Sequence, residues 1–512
     1  MNLVSASFFL LVAITVVVYY IVPIKNRWII LLLASIGFIM SVNGLKLAVV
    51  MLIAAFATYL LAVLIEKYRE KELLPKYMLM VGIVINVGSL IVIKDINFFI
   101  SIGRRLQGFW GKGDIWQYVS WMAPLGISYY TLTMTGYLLD VYWGTEKAEN
   151  NPFRFLLFAG YFPLLTSGPV IRAKETKEEI LKGHRFSDKK FCFGLQRILW
   201  GLFKKLVISE RLAVIVNAVY GDYERYVGYV WIAIAFFPLQ LYTDFSGCMD
   251  IVIGVSELFG ITLPENFDMP FISGSLSEFW RRWHITLGSW LRDYVLYPIL
   301  KSALWQRMGK ITRKCFGKKL GKQIPVWCGM FVSWFLIGFW HGGAWNYIIG
   351  AGLFYWFMIV LGELCKPILD KLVRVLKINT ECFSYKAYRA VRTYILFMLG
   401  LSLFRAYDGL SEGIALWKAA FAWNPQILAY ESLKQLGMGM SVYELGVLSV
   451  SLIVLAGSGI GRAYLKRPIR EWLAEQNIVF RWGVLYIAFF YVLVFGYRGL
   501  GFDASTFIYA QF

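Results

Sequence analysis

Residues 323–362 read QIPVWCGMFVSWFLIGFWHGGAWNYIIGAGLFYWFMIVLG, a run with no Asp, Glu, Lys or Arg and with His341 as its only imidazole. A helix rises about 1.5 Å per residue, so such a run would reach roughly 60 Å, two crossings of a hydrocarbon core. The Gly342-Gly343 pair marks where one helix should end and the chain turn back. The rest of the chain has the same character. It is 58% hydrophobic, 18% aromatic and only 16% charged, with a mean hydropathy of +0.58. A soluble domain carries about a quarter charged residues, which excludes a soluble globular enzyme, a disordered chain and a small disulfide scaffold. Unbroken apolar runs exclude the alternating strands of an outer-membrane barrel. The fold class is all-α: a multi-pass integral membrane protein with about 10 to 12 membrane helices, some of them re-entrant.

Working towards the N-terminus, residues 1–23 lack the basic leader of a cleaved signal and read as a retained first helix. Lys25 and Arg27 place the next loop in the cytoplasm and the N-terminus outside. Spans are expected over 28–43, 45–65 and 77–93, with the charged hinge 66–76 between the last two. Beyond residue 94, Pro124, Gly126, Pro163, Gly168 and Pro169 interrupt the apolar stretches 117–143 and 153–171. Irregular backbone at membrane depth must be buried in protein or line a cavity. Later apolar runs lie near 191–218, 228–262, 391–404, 442–460 and 480–497. The chain divides into N-terminal membrane helices (1–116), a core (117–365) and C-terminal membrane helices (366–512).

The 52 basic and 32 acidic residues leave a formal charge of +20. Basic cytoplasmic loops account for this excess without a nucleic-acid partner. The largest block, 301–322, holds eight Lys or Arg and no acid. It reads as a cytoplasmic loop beside anionic lipid headgroups, or as a docking surface for an acidic partner or nucleotide-bearing substrate. The six cysteines are scattered and read as small core hydrophobes, with no metal site.

Titratable side chains inside a membrane are costly, so the rare ones are functional candidates. His341, beside the Gly-Gly break, has the character of a general base for a hydroxyl, with a packing histidine as the alternative. Trp340 and Asn346 flank it as candidate substrate contacts. His284 lies in Phe279-Trp-Arg-Arg-Trp-His284. On a helical wheel, Trp280, Trp283, Leu287, Leu291 and Tyr294 form an apolar stripe, beside a cationic stripe of Arg281, His284, Gly288 and Arg292. One amphipathic helix is therefore expected, its basic ribbon turned to an anionic group or, alternatively, to the membrane interface. Asp244 and Asp250 lie inside the run 228–262, and Asp250 shares a helix face with Glu257. Such acids normally pair with Arg. His184, in a charged segment, reads as a solvated surface histidine. No Gly-rich phosphate loop, zinc-ligand cluster or nucleophile elbow is present.

The ordered set Pro124-Leu-Gly-Ile-Ser-Tyr-Tyr, Phe162-Pro-Leu-Leu-Thr-Ser-Gly-Pro169, Asp244-Phe-Ser-Gly-x-x-Asp250, Leu263-Pro-Glu-Asn-Phe, Phe279-Trp-Arg-Arg-Trp-His284, Leu291-Arg-Asp-Tyr, Gly338-Phe-Trp-His-Gly and the ending Phe507–Phe512 resembles the membrane-bound O-acyltransferase family. Within it, the resemblance is to the bacterial alginate O-acetylase type. This implies helices around a central funnel, with His341 matching the catalytic histidine and His284 the second histidine of the bacterial subgroup. It also implies an acyl-CoA or acyl carrier protein thioester as donor and no bound cofactor. The setting would be the bacterial cytoplasmic membrane, in contact with membrane lipid. An extracytoplasmic SGNH-type acetyltransferase is the expected partner. Thr166–Pro169 and Phe271-Ile-Ser lean towards the sibling that passes D-alanine to teichoic acid, and Cys248-Met249 depart from the acetylase pattern. The rival classes are a channel or flippase for an anionic glycolipid and a structural subunit of a secretion complex.

Overall fold

The computed structural model describes residues 2–109, 116–406, 409–422, 424 and 439–497, so the ending Phe507–Phe512 lies outside the described residues. Among the described residues the protein is predominantly helical, and its one β feature is an isolated antiparallel bridge between Phe267 and Trp283. Six helical segments are long and apolar enough to cross a membrane: Ile24–Lys67, Leu74–Gly108, Ala303–His341, Trp345–Val375, Val442–Leu465 and Ile478–Phe495. The chain is a multi-pass, all-α membrane protein.

The first of these segments carries the break expected between 43 and 45. Gly44 has φ +66° and ψ 172°, outside helical geometry and costly for any residue with a Cβ. Ile39 before it and Met51 after it both lie against Gly160. The span expected over 77–93 is longer than the sequence suggested. Helix continues from Leu74 to Phe109, through π-helical stretches at Val84–Gly88 and Ile91–Asp95. Lys94 and Asp95 lie inside it, and adjacent opposite charges soften the penalty that ended the sequence-based span. Residues 116–124 are irregular, and Gly126, in left-handed conformation, precedes the helix Ile127–Trp143. Pro169 is buried in a second irregular stretch.

The basic block 301–322 is not a loop. Ser302 caps a helix whose 303–316 arm ends at Gly317, at φ +75° and ψ 173°. A second arm then runs from 318 to 341. The arms fold back on each other: Trp305 Nε1 donates to the Pro325 carbonyl at 3.0 Å, and Thr312 Oγ1 to that of Gly321 at 2.6 Å. Lys, Arg, Leu and Met are good helix formers, and their charge had masked that propensity.

The chain forms two compact units. One comprises residues up to Ile208, Thr243–Pro264 and those from Val450 on. The acids of 244–257 are paired within it: fully buried Asp244 pairs with Lys205, and Asp250 with Lys204 (2.7 Å) and Arg197 (3.0 Å). Glu257 receives both amino groups of Arg470 at 2.6 and 2.9 Å. His184 also belongs here, and it is packed where the sequence suggested solvation. Its Nε2 lies 2.8 Å from the Glu179 carbonyl, and its own carbonyl accepts from Arg27. Burial pushes its pKa down. The other unit comprises Ser209–Tyr242 and Glu265–Ser449, and both remaining histidines belong to it.

Candidate active site

His284 is where the expected amphipathic helix breaks. The helix Leu276–Arg282 stops, His284 takes left-handed backbone angles (φ 47°, ψ 50°), and a new helix runs Ile285–Leu291. For a residue with a Cβ this conformation costs on the order of 1–3 kcal/mol and needs neighbours that enforce it. Asn266 supplies them. Its carbonyl accepts from Ile285 N–H at 3.0 Å, and the flanking residues pair through Phe267 and Trp283. The wheel therefore fails between Trp283 and His284. Its two faces separate accordingly: the imidazole is buried, whereas Arg281 and Arg292 are exposed. Arg292 is paired with Asp293 at 2.8 Å.

The same asparagine fixes the imidazole's proton. Asn266 Oδ1 accepts from Thr286 N–H at 3.1 Å and Thr286 Oγ1 at 2.9 Å, so the oxygen, and not the amide nitrogen, faces this cluster. His284 Nδ1 sits 3.2 Å from that oxygen and must be its protonated nitrogen. Nε2 then carries the lone pair. Burial pushes the His284 pKa down to about 3, so the ring is neutral at physiological pH.

This shift has a consequence for stability. An unfolded chain would protonate His284 below about pH 6.5, while the native state does not do so until about pH 3. The unfolded state therefore binds more protons across that window, and stability falls as pH falls through it. Between pH 7 and 5.5 the loss amounts to about 1 kcal/mol. Asn tolerates the left-handed region and does not titrate, so His284→Asn should flatten this part of the profile. Thermal unfolding of both proteins in detergent at the two pH values checks it; parallel losses would contradict the assignment.

His341 is the last residue of the helix Ala303–His341, and Gly342 leaves it in extended conformation, as the Gly-Gly pair suggested. The chain resumes at Trp345–Tyr347 and winds through a π-helical stretch, Ile348–Leu353. The two limbs touch backbone to backbone at Gly338, where a Cβ would lie 2.5 Å from Ile348 Cα and 2.7 Å from the Tyr347 carbonyl oxygen. The imidazole is buried with its centroid 5.6 Å from Phe404, whose ring also meets Tyr347 at 5.1 Å. Asn346, a candidate substrate contact from sequence, is buried and donates its amide to the carbonyls of Phe404 (3.3 Å) and Ala406 (3.0 Å). It anchors the segment carrying the ring that packs on His341.

Trp340 joins the two histidines. Its ring lies 5.0 Å from His341 and 6.0 Å from His284, centroid to centroid. Two buried imidazoles, distant in sequence, thus border one indole. A methyl group on Gly342 would lie 2.5 Å from the Tyr347 ring, so Gly342→Ala must displace Tyr347 and through it Phe404. Overpacking of this kind costs about 1–3 kcal/mol, and beside the imidazole expected to act as general base it should lower turnover at least tenfold. Initial rates of the purified variant test this, and a rate within twofold of wild type would contradict it.

Asp244, Asp250 and Pro169 belong to the other compact unit. The Asn266 and Phe404 contributions were not visible in the sequence. Asn266 stands 18 residues before His284, and Phe404 stands in an apolar run with no local mark of its destination.

The profile of the membrane-bound O-acyltransferase family matches residues 150–309, a stretch that includes His284 and ends before His341. A probable alginate O-acetylase of Pseudomonas aeruginosa is 30% identical over 395 residues, covering 77% of this chain and 68% of that protein. The chain belongs to the membrane-bound O-acyltransferase family. Two further relatives cover less: a peptidoglycan O-acetyltransferase of Helicobacter pylori (28% identical, 53% of this chain and 52% of that one) and a teichoic acid D-alanyltransferase of Bacillus subtilis (30%, 47% and 62%). As a membrane-bound O-acyltransferase, the protein is an enzyme that passes an acyl group to a hydroxyl oxygen. A group able to take the hydroxyl proton is the first requirement of such chemistry.

Proposed function

We propose that this O-acyltransferase moves an acetyl group from a cytoplasmic thioester, acyl-CoA or a loaded acyl carrier protein, towards hydroxyls of a cell-envelope or exported polysaccharide, in the bacterial cytoplasmic membrane. The observation that carries the reading is the pair of buried histidines bordering Trp340. In this reading His341 takes the acceptor hydroxyl's proton as its oxygen attacks the thioester carbonyl. The C–O bond forms, the C–S bond breaks, and the thiolate leaves and collects a proton. Neutral His284, its Nδ1–H held by Asn266, presents the Nε2 lone pair, which positions the acceptor by accepting from one of its hydroxyls. Arg281, exposed on the helix before His284, is available to the donor's anionic groups, and Arg292, exposed just beyond the helix after it, can exchange Asp293 for them. No cofactor is required. An extracytoplasmic SGNH-type acetyltransferase would complete delivery to the polymer.

The names of the relatives support acyl transfer to envelope polymers, and the Bacillus subtilis relative favours D-alanine as the second reading for the acyl group. Membrane vesicles given isotope-labelled acetyl-CoA at their cytoplasmic face separate the two. Alkali-labile acetyl ester on envelope material supports acetyl transfer. Transfer seen only when labelled D-alanine on a carrier protein is supplied in place of acetyl-CoA supports the second reading, and the absence of any covalent transfer with either donor would favour a channel or flippase.

A further inference from the structure

We propose that the helical hairpin of residues 303–322 is a binding surface for the anionic phospholipid headgroups of its membrane leaflet, with the outer arm, 303–316, lying in the interface. All eight Lys and Arg side chains of 301–322 are exposed. The contacts of Trp305 and Thr312 with the second arm fix which face of the outer arm turns inward. What remains outward is not uniformly polar. Leu304 is 69% and Ile311 54% exposed, and Cys315 is exposed as well. At about 100° per residue these three fall within roughly 40° of one another, and Arg307 and Lys314 follow within about another 60°. The outward surface is thus an apolar stripe edged by a ribbon of cations.

Water does not satisfy the stripe, and hydrocarbon does not satisfy the ribbon. The boundary between acyl chains and headgroups satisfies both, with the long stems of Arg307 and Lys314 reaching from one to the other. A leaflet rich in anionic lipid supplies the complementary charge, and each nearby cation strengthens the association severalfold. Position supports the same occupant. The hairpin is continuous with the membrane-crossing helix that ends at His341, and the 24 residues from Lys318 to His341 correspond to about 35 Å along its axis.

The test places the full-length protein in nanodiscs containing photo-crosslinkable phosphatidylglycerol or, separately, the matching phosphatidylcholine at the same mole fraction. Cross-links to 303–322 are then mapped by mass spectrometry. We expect wild type to favour phosphatidylglycerol at least tenfold, less so in 0.5 M salt. The triple variant Arg307→Gln, Lys310→Gln, Lys314→Gln should fall to near parity. Leu304→Ser with Ile311→Ser should lower the yield with both lipids severalfold while keeping the preference, which separates depth from charge. Parity in wild type, or an undiminished preference in the triple variant, overturns the proposal. So does lipid parity accompanied by cross-linking of the hairpin to an acidic acyl carrier protein added alongside. Acyl transfer by the triple variant in detergent should be unchanged, so this outcome and the catalytic reading fail independently.

Discussion

Replacing His341 by Ala should lower acyl transfer by about 10²- to 10⁴-fold, the range of a lost general base, and leave the helical fold assembled. The expectation rests on placement. His341 ends its helix, its ring is buried against Phe404, and Trp340 connects its surroundings to His284. No other imidazole borders Trp340 among the described residues except His284, whose low proton affinity makes it a poor general base. His341→Gln preserves more of the side-chain volume without a base near neutrality, so it should be as inactive as the alanine variant and closer to wild type in thermal stability. Rates within tenfold of wild type in the glutamine variant would remove His341 from the proton-transfer role. A loss accompanied by aggregation in both variants would instead mark the residue as packing.

The second large effect concerns folding. Asp244→Asn removes the carboxylate that pairs with Lys205, whose side chain is 4% exposed, while Asp244 itself is 0% exposed. Removing one member of a buried ion pair typically costs about 3–5 kcal/mol because the other charge stays buried, a large part of a stability of about 5–15 kcal/mol. Size-exclusion profiles and melting in detergent should show a marked loss of folded protein. The paired change Asp244→Leu with Lys205→Met should recover most of it, since apolar replacements leave no stranded charge. If the single variant melts like wild type, the pair is not a structural element of this unit.

How far the site could be read from sequence depended on whether its determinants were local. The break after His341 was legible because two adjacent glycines in an apolar run announce it, and Gly44 separated two spans for a similar reason. Gly317 went unread: lysines and arginines on both sides suggested a loop, although the same residues form helix readily once their charges face outward. His284 misled for the opposite reason. The apolar spacing over 279–294 fits one continuous helix, and the left-handed turn that interrupts it is imposed by Asn266, a partner 18 residues away. Lys94 and Asp95 ended a span in the sequence and sit inside one in the structure, because hydropathy counts two charges where the helix holds adjacent opposites. Asn346 was chosen for its proximity to His341 in the chain, yet its amide is committed to the carbonyls of Phe404 and Ala406.

The most direct test of the central claim is thiol release in proteoliposomes containing only this protein, acetyl-CoA and a soluble oligosaccharide acceptor. Wild type is predicted to release free CoA in step with acetyl ester formed, and the His341→Gln protein, folded and equally abundant, to release none above background. Equal CoA release by the two proteins, or ester formation without any thiol released, would contradict the account.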